Sequence, residues 1–253
     1  MSRNELKRIF DAWLRSRSKK LMALVIRIDV DRPYGRSPAV RHFLSRLSSD
    51  LCFPKVARLG FLAELQTMLT WLNEERARAY VFFRRCTLPS TSIRELLDAG
   101  RHEVGLHLEN SRSYATFVHE KQLVERHVGR EVLAVSKHGS GGAKFGFHHY
   151  APYEPERYIA WAGKASMRLF LGNLQDPSLE PTRAGNDLLV FPSAFWLEPP
   201  WRDTKKFTVD WLRDHARHHD IVLLVHPENV LAHPGLVADF KKLIKTLESR
   251  IFQ

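Results

Sequence analysis

Two acidic residues, Asp29 and Asp31, follow an apolar run and are separated by a single valine. Side chains at positions i and i+2 of a strand point to the same face, so the two carboxylates are expected to converge. Close carboxylates repel each other unless a cation or a shared proton relieves them, as in a metal site or an acid–base pair. The alternative is a turn rich in Asp, a residue that caps and turns well.

Histidines stand at the ends of two further apolar runs. His107 follows residues 103–106, and His226 follows residues 221–225. A neutral imidazole is a good metal ligand, and its pKa near neutrality also suits general acid or base catalysis. The alternative for each is a hydrogen-bonded structural histidine or a capping histidine.

A glycine-rich segment, residues 136–142, follows another apolar run and contains Lys137, His138 and Gly139. Backbone amides in such a loop can bind an anion. The segment is not a Walker loop, because the Gly-Lys-Ser/Thr ending is missing. We interpret it as a binding loop, the alternative being a flexible connection.

Short apolar runs alternate with helical patterns along the chain. Strands are predicted at residues 22–28, 79–83, 103–106, 132–136, 167–171, 188–191 and 221–225, and helices at 56–78, 92–98, 114–128, 155–165, 208–218 and 234–249. The strand runs are apolar at nearly every position, which is typical of a parallel sheet buried on both faces. The alternation predicts an α/β fold, a closed or nearly closed barrel of about seven parallel strands, built by one domain over residues 1–253. Because the carboxyl ends of parallel strands share one rim, the polar clusters are expected to meet there.

The composition excludes two classes of protein. Apolar residues make up 44% and charged residues 26% of the chain, which is typical of a globular rather than a disordered protein. The longest apolar run is far shorter than the roughly 20 residues of a membrane-spanning helix. Two cysteines and the absence of a signal-peptide pattern lead us to expect a cytoplasmic protein.

The chain is basic, with 39 Lys and Arg against 28 Asp and Glu and a formal net charge of +11. Residues 1–20 combine basic side chains with apolar ones at helical spacing, which predicts a basic amphipathic helix. Such a helix either touches an anionic membrane or packs its apolar stripe on the domain. Elsewhere the basic residues are dispersed, without zinc-finger or single-strand-binding patterns, so a nucleic-acid partner is not favoured.

The ordered set of motifs resembles the polysaccharide deacetylase family, the nodulation-deacetylase-like carbohydrate esterases. The strand ending in Asp29-Val30-Asp31 is similar to the family's first motif. The segment Arg101-His102-Glu103-Val104-Gly105-Leu106-His107 is similar to its Gly-His-Glu-Ile-Gly-x-His motif, which is the most specific part of the resemblance. Leu223-Leu224-Val225-His226 is similar to its Leu-x-x-His strand end, so the resemblance extends in order over residues 24–229.

The resemblance implies a distorted (β/α) barrel of about seven parallel strands. It also implies a hydrolase that removes an acyl group from an N-acylated sugar or polysaccharide precursor with the help of a divalent metal, usually zinc. It implies that Asp29 is the base and His226 the acid. It also implies that Asp31 and His107 bind the metal. Contacts to the glycan substrate are assigned to three residues near these positions: Lys137, Gly139 and Glu109.

Two positions depart from the family pattern. The family's second metal histidine falls at Ser111, a poor zinc ligand, so the third ligand comes from Glu109, Asn110 or His138, of which we favour His138. The arginine that orients the family's catalytic Asp is replaced near its place by Lys137 and His138. The alternative function is a catalytically inactive barrel that acts as a glycan-binding or scaffold domain.

Overall fold

A computed structural model describes residues 24–35, 39–51, 55–185 and 187–252. The amphipathic helix predicted at residues 1–20 and Cys52 lie outside these ranges. Within them, no helix has both the length and the apolar composition needed to cross a bilayer.

The described part of the chain contains one nine-stranded sheet. Its strands are β1 (Leu24–Val30), β2 (Ala79–Phe83), β3 (Glu103–Leu108), β4 (Ala134–Lys137), β5 (Leu169–Leu174), β6 (Thr182–Ala184), β7 (Leu188–Ser193), β8 (Phe195–Trp196) and β9 (Ile221–Val225). The order across the sheet is β6-β7-β5-β4-β3-β2-β1-β9-β8. All neighbours are parallel except β6 and β7, which are antiparallel.

The predicted α/β barrel class is confirmed, with two differences in detail. All seven predicted strands are present, two of them, β2 and β9, with the predicted bounds. The short strands β6 and β8 are additional, and they form the two edges of the sheet. Since these edges do not pair with each other in the described part, the sheet is a curled half-barrel rather than a closed ring.

Eight helices accompany the sheet in the described ranges: α1 (Ala39–Leu51), α2 (Ala63–Glu74), α3 (Thr91–Ala99), α4 (Tyr114–Val128), α5 (Pro155–Lys164), α6 (Val209–His215), α7 (Pro227–Leu231) and α8 (Pro234–Thr246). The sequence did not predict α1 and α7. The helix predicted at 56–78 begins only at Ala63, because Gly60 and Leu62 have left-handed backbone angles, with φ of 79° and 53°. A continuous right-handed helix cannot pass through such angles.

The alternation of side chains along each strand separates two cores. Leu24, Ile26 and Ile28 of β1 face the helices and belong to the larger apolar cluster. Val25 faces the interior of the half-barrel, in a smaller cluster that includes Phe82. The same alternation directs Arg27 and Asp29 inward. The inward face of β1 therefore changes from apolar to charged towards its carboxyl end, where the site lies.

Candidate active site

A cavity of about 1040 Å³ opens at the carboxyl ends of the strands. Its lining includes Asp29, Asp31, His107, His138 and His226, five of the residues singled out from the sequence. They come from β1, β3, β4 and β9 or from the residues that directly follow these strands. The structure thus brings the predicted catalytic and metal-binding side chains to one rim.

Asp29 is buried in a two-pronged contact with Arg27, which lies two residues earlier on the same face of β1. Arg27 Nε and Nη2 donate to the two carboxylate oxygens of Asp29, at 2.9 and 2.6 Å. The remaining Arg27 protons reach the carbonyls of Leu171 and Gly172 and the side-chain oxygen of Asn173. All five guanidinium N–H groups therefore have acceptors, which a completely buried arginine requires.

The environment keeps Asp29 ionised. Burial by itself raises the pKa of a carboxyl group, but the charge of Arg27, with His107 as the next contributor, outweighs it and holds the pKa of Asp29 below its usual value. Asp29 Oδ2 lies 3.6 Å from His107 Nε2. Asp29 is therefore a fixed carboxylate beside the histidines, as a general base must be.

Asp31, His107 and His138 form a compact trio, which we call the ligand trio. Asp31 Oδ1 lies 3.0 Å from His107 Nε2 and 2.9 Å from His138 Nδ1, and the two imidazole nitrogens are 3.2 Å apart. His107 Nδ1 is 2.7 Å from Ser136 Oγ, so a proton on Nδ1 can be donated to the serine. This tautomer leaves the Nε2 lone pair facing the other two members, an orientation that metal-bound histidines share.

The ligand trio fits a divalent transition metal. One carboxylate oxygen and two imidazole nitrogens are a donor set typical of catalytic zinc. Three ligand atoms at about 2.0–2.2 Å from a tetrahedral ion are about 3.3–3.6 Å apart, and the separations of 2.9–3.2 Å here lie within a few tenths of an ångström of that. Asp31 Oδ1 is also buried without a well-directed hydrogen bond to any described residue, so the oxygen has no other role there.

The protonation states of the ligand trio agree with this fit. Burial lowers the pKa of His138 to about 3, which keeps the imidazole neutral and its lone pair free. Burial opposes ionisation of Asp31, but the adjacent His138 and His107 outweigh it and hold its pKa well below the usual range. Metal ligands must be deprotonated, and both groups are.

His226 lies on the other side of Asp31 and is held by Glu198. Its Nδ1 and its backbone N–H both contact Glu198 Oε1, at 2.8 and 3.0 Å. Its Nε2 lies 3.6 Å from Asp31 Oδ2. Burial lowers the pKa of His226, but Glu198, followed by the two aspartates, raises it to about 10. His226 is therefore an imidazolium at neutral pH, with a proton available at Nε2.

The three residues assigned to substrate contacts lie in different places. Gly139 lines the cavity, with a φ of 75° that glycine adopts without strain. Lys137 also borders the cavity, but its ammonium donates to the His138 carbonyl, at 2.6 Å, and so supports the loop. Glu109 is buried, accepts from Arg84 at 2.6 Å and is not part of the cavity lining. Its carboxylate is thus placed to anchor Arg84 rather than to reach a ligand.

Ser111 lies away from the ligand trio. Its hydroxyl is 3.3 Å from the hydroxyl of Tyr158 on α5, and it does not line the cavity. His138, from the next strand along the sheet, stands beside His107 instead.

Sequence reasoning missed two residues that hold the site. Arg27 carried a usable signal, because an arginine at i−2 from Asp29 must share its face of the strand. Glu198 follows β8, a two-residue strand that no periodicity reveals, and it meets His226 only through the pairing of β8 with β9. Nothing in the sequence alone could have found that contact.

The cavity wall beyond these groups is partly aromatic. Trp196 and Trp201 line one side with ring centroids 6.0 Å apart, and Phe145 lines another. The indole N–H of Trp196 is buried and has no acceptor among the described residues. The aromatic faces that line the cavity suit packing against a ring-shaped ligand.

The sequence matches no protein-family model and no curated protein. The chain is similar in structure to a pseudoenzyme of the CE4 family from Bacillus anthracis, at 12% identity and a TM-score of 0.46, over 91% of this chain and 63% of that one. It thus spans less than two thirds of that pseudoenzyme. It is also similar to the Xyl-CE4 domain of a multidomain xylanase from the hindgut metagenome of Trinervitermes trinervoides, at 13% identity and a TM-score of 0.41, over 89% of this chain and 86% of that one.

A third similar structure is a GH57-type branching enzyme from Pyrococcus horikoshii, at 11% identity and a TM-score of 0.48, over 90% of this chain and 68% of that one. Two of these three similar structures are thus a protein and a domain named for CE4. At these identities the likeness concerns the fold, and the roles of individual residues depend on the geometry described above.

Proposed function

We propose that this protein is a metal-dependent hydrolase that removes an acyl group from an N-acylated sugar or polysaccharide precursor. The observation that carries the proposal is the ligand trio, with a fixed carboxylate, Asp29, on one side and an imidazolium, His226, on the other. A base, a metal site and an acid in one cavity are the groups that amide hydrolysis needs.

In this proposal Asp31, His107 and His138 hold a zinc ion, which supplies Lewis acidity to the acyl carbonyl and to the attacking water. Asp29 takes a proton from that water, and Arg27 fixes the direction of its carboxylate. His226 gives its Nε2 proton to the departing amine, and Glu198 holds the ring in place through Nδ1. The aromatic wall of Trp196 and Trp201 packs against the sugar.

The test combines metal content with turnover. Wild-type protein supplied with zinc is expected to retain about one ion per chain and to release acylate from an N-acetylated oligosaccharide panel. Asp31→Asn and His138→Gln should lose the ion, whereas Asp29→Asn should keep it and lose turnover. Asp50→Asn is the matched control, because Asp50 lines the same cavity but lies on α1 and contacts Phe147 N.

Two results would contradict the proposal. Wild-type protein that retains no zinc would remove the metal site, and an Asp29→Asn variant as active as wild type would remove the base. Glycan binding without turnover by the zinc-loaded protein would instead support the inactive glycan-binding barrel.

A further inference from the structure

Exposed apolar side chains are concentrated beside the cavity. Nine large apolar side chains are exposed in the described ranges, and five of them lie on α1 or on the loop of residues 138–149. We call these five the mouth patch: Val40, Phe43, Leu51, Phe145 and Phe147. Leu51 and Phe147 are 74% and 70% exposed, and Val40 and Phe43 are 66% and 61% exposed. Monomeric proteins rarely expose such a cluster unless it contacts something.

The members of the mouth patch belong to one surface. Val40, Phe43 and Leu51 recur at the spacing of one helix face, so they form a stripe along α1. The loop is fastened to the end of that helix, since Phe147 N donates to Asp50 Oδ1 at 2.8 Å. Phe145 lines the cavity itself. The mouth patch therefore borders the entrance of the candidate active site.

Basic side chains surround the mouth patch. Arg46 and Lys144 both line the cavity entrance, and within the part of the chain that the structure describes neither is ion-paired. Lys144 Nζ lies 5.9 Å from the ring centroid of Phe147. The nearby acid, Asp50, is already bonded to the loop backbone. The surface thus combines apolar side chains with two basic side chains that have no ion pair among the described residues.

We propose that the mouth patch docks this protein on an anionic membrane surface. On such a surface, apolar side chains insert between the headgroups and the acyl chains, and basic side chains pair with the anionic headgroups. The mouth patch supplies the apolar side chains, and Arg46 and Lys144 supply the basic ones. A second copy of this chain would place positive charge against positive charge. A nucleic acid would satisfy Arg46 and Lys144 but would leave the aliphatic side chains on α1 without a partner.

The proposal does not depend on turnover at the active site. Because the cavity opens beside the mouth patch, a docked molecule would present its site to the membrane surface. It also concerns α1 and the loop of residues 138–149, and not residues 1–20.

The test is co-sedimentation of the full chain with vesicles of phosphatidylcholine alone or mixed with phosphatidylglycerol. Binding is expected only to the mixed vesicles and should weaken as salt rises. The double variant Phe43→Ser/Phe147→Ser should bind the mixed vesicles at least about tenfold more weakly, because two aromatic rings no longer insert between the headgroups and the acyl chains. Each charge removed in Arg46→Gln/Lys144→Gln should weaken binding about fivefold.

Matched controls make the same changes elsewhere. Leu179→Ser removes an exposed leucine between β5 and β6, and Arg217→Gln/Lys242→Gln removes two exposed charges that do not line the cavity. Both controls should bind like wild type. All the altered side chains are exposed, and circular dichroism checks that each variant folds.

Several outcomes would overturn the proposal. Failure of wild type to bind the mixed vesicles would refute it directly, and full binding by both double variants would place the membrane contact elsewhere in the chain. A dimer in light scattering that Phe43→Ser/Phe147→Ser dissociates would assign the patch to a second copy. Salt-dependent DNA binding that exceeds vesicle binding and ignores the phenylalanine changes would assign the charges to nucleic acid.

Discussion

The pairing of Arg27 with Asp29 shows how one side chain can set the chemistry of another. A buried guanidinium is tolerated only when every donor has an acceptor, and here the acceptors come from β1 itself and from the end of β5. Asp29 is therefore fixed both in charge and in direction. Under the proposed function, Arg27 would take the orienting role that the resemblance assigns to an arginine near the position of Lys137.

Replacing Arg27 should impair turnover through Asp29. Arg27→Met is expected to lower kcat on the order of 10²-fold with little change in KM. The reason is that the Asp29 carboxylate would no longer be held in one orientation, whereas the contacts to the substrate would be unchanged. The kcat of Arg27→Lys should lie between those of wild type and Arg27→Met, because lysine keeps the positive charge but cannot donate two parallel hydrogen bonds to the carboxylate. The measurement is a double-mutant cycle for kcat with Asp29→Asn.

In that cycle, Arg27→Met should add almost nothing once Asp29 is already Asn. Independent losses in the two single variants, multiplied in the double variant, would mean that Arg27 acts on turnover by another route. Zinc content, measured in parallel, should stay at the wild-type level in all the variants.

Residue type, combined with the position of each residue at the end of a predicted strand, was sufficient to identify many of the side chains that line the site. Asp29, Asp31, His107, His138 and His226 were all singled out in advance, and the structure places them together. The position of Glu109 could not be foreseen, because the sequence does not show that Arg84 occupies its carboxylate. Ser111 was expected at a ligand position, yet its contact is Tyr158 on a helix.

Among the elements, β2 and β3 are joined to α2 by the buried His102. Its Nδ1 accepts the backbone N–H of Ala79 at 3.1 Å, and its Nε2 lies 2.8 Å from Asn73 Oδ1. The ring thus acts as acceptor on one side and donor on the other, which only the neutral form can do. Burial lowers the pKa of His102 to about 4, with Arg78 and Arg130 contributing.

This histidine should make stability depend on pH. The unfolded chain binds a proton at His102 below a pKa of about 6.5, whereas the folded chain does so only near 4. Its contribution to the free energy of unfolding is therefore complete above pH 6.5 and is lost as the pH falls towards 4, by about 3 kcal/mol. The contribution is measured by urea unfolding of wild type and His102→Asn between pH 4 and pH 7.

The expected result is a smaller slope of unfolding free energy against pH in His102→Asn, whatever its stability at pH 7. His218→Asn, which replaces an exposed histidine, should keep the wild-type slope. Parallel slopes for wild type and His102→Asn would show that this ring is not the titrating group.

The interior of the half-barrel depends on Gly105 of β3. A Cβ atom at this position would lie 2.2 Å from the ring of Phe82, which is completely buried. Arg27 Cζ in turn lies 5.7 Å from the centroid of that ring. The absence of a side chain at Gly105 thus leaves room for Phe82, which lies beside the arginine that holds Asp29.

Gly105→Ala should therefore destabilise the protein, by about 1–3 kcal/mol, because the ring must move inside a packed core. Gly163→Ala on α5 is the control, since nothing lies within 4 Å of its new Cβ, and a helical glycine gains from the change. Thermal melts compare the two. Adding Phe82→Leu should restore part of the loss, and a Gly105→Ala variant as stable as wild type would disprove the packing argument.

The helices and strands that the sequence predicted are those with several apolar residues in a continuous or regularly spaced pattern. Parallel strands buried on both faces are continuous apolar runs, which is why β2 and β9 were predicted with their observed bounds. The strand β8 has two residues and β6 three, and both depend on pairing with a neighbour. The helix α1 was not predicted, because the side of it that packs on the protein carries the buried Ser45 and Ser48 instead of an apolar stripe, whereas Val40, Phe43 and Leu51 are exposed.

For the molecule as a whole, the ligand trio is expected to couple metal binding to stability. An ion that binds only the folded chain stabilises it by about 2.7 kcal/mol at a hundredfold excess over its Kd, and for this length that raises Tm by roughly 5–10 °C. Zinc is expected to give this shift, and calcium, which prefers oxygen ligands, is not.

Thermal melts of two variants test whether zinc stabilises the protein by binding to the ligand trio. His138→Gln should remove the zinc-dependent shift, and His42→Gln should keep it, because His42 lines the cavity but lies outside the ligand trio. A shift that survives in His138→Gln would place the bound zinc elsewhere.

The arrangement of the sheet also decides when these groups can first work together. Asp29 and Asp31 come from β1, whereas His226 follows β9, which lies between β1 and β8 in the sheet. A nascent chain that has not yet reached β9 lacks both the proton donor for the departing amine and the strand that pairs with Leu24–Ile28 of β1. Under the proposed function, hydrolytic competence would therefore appear late in biosynthesis, once β9 has paired with β1.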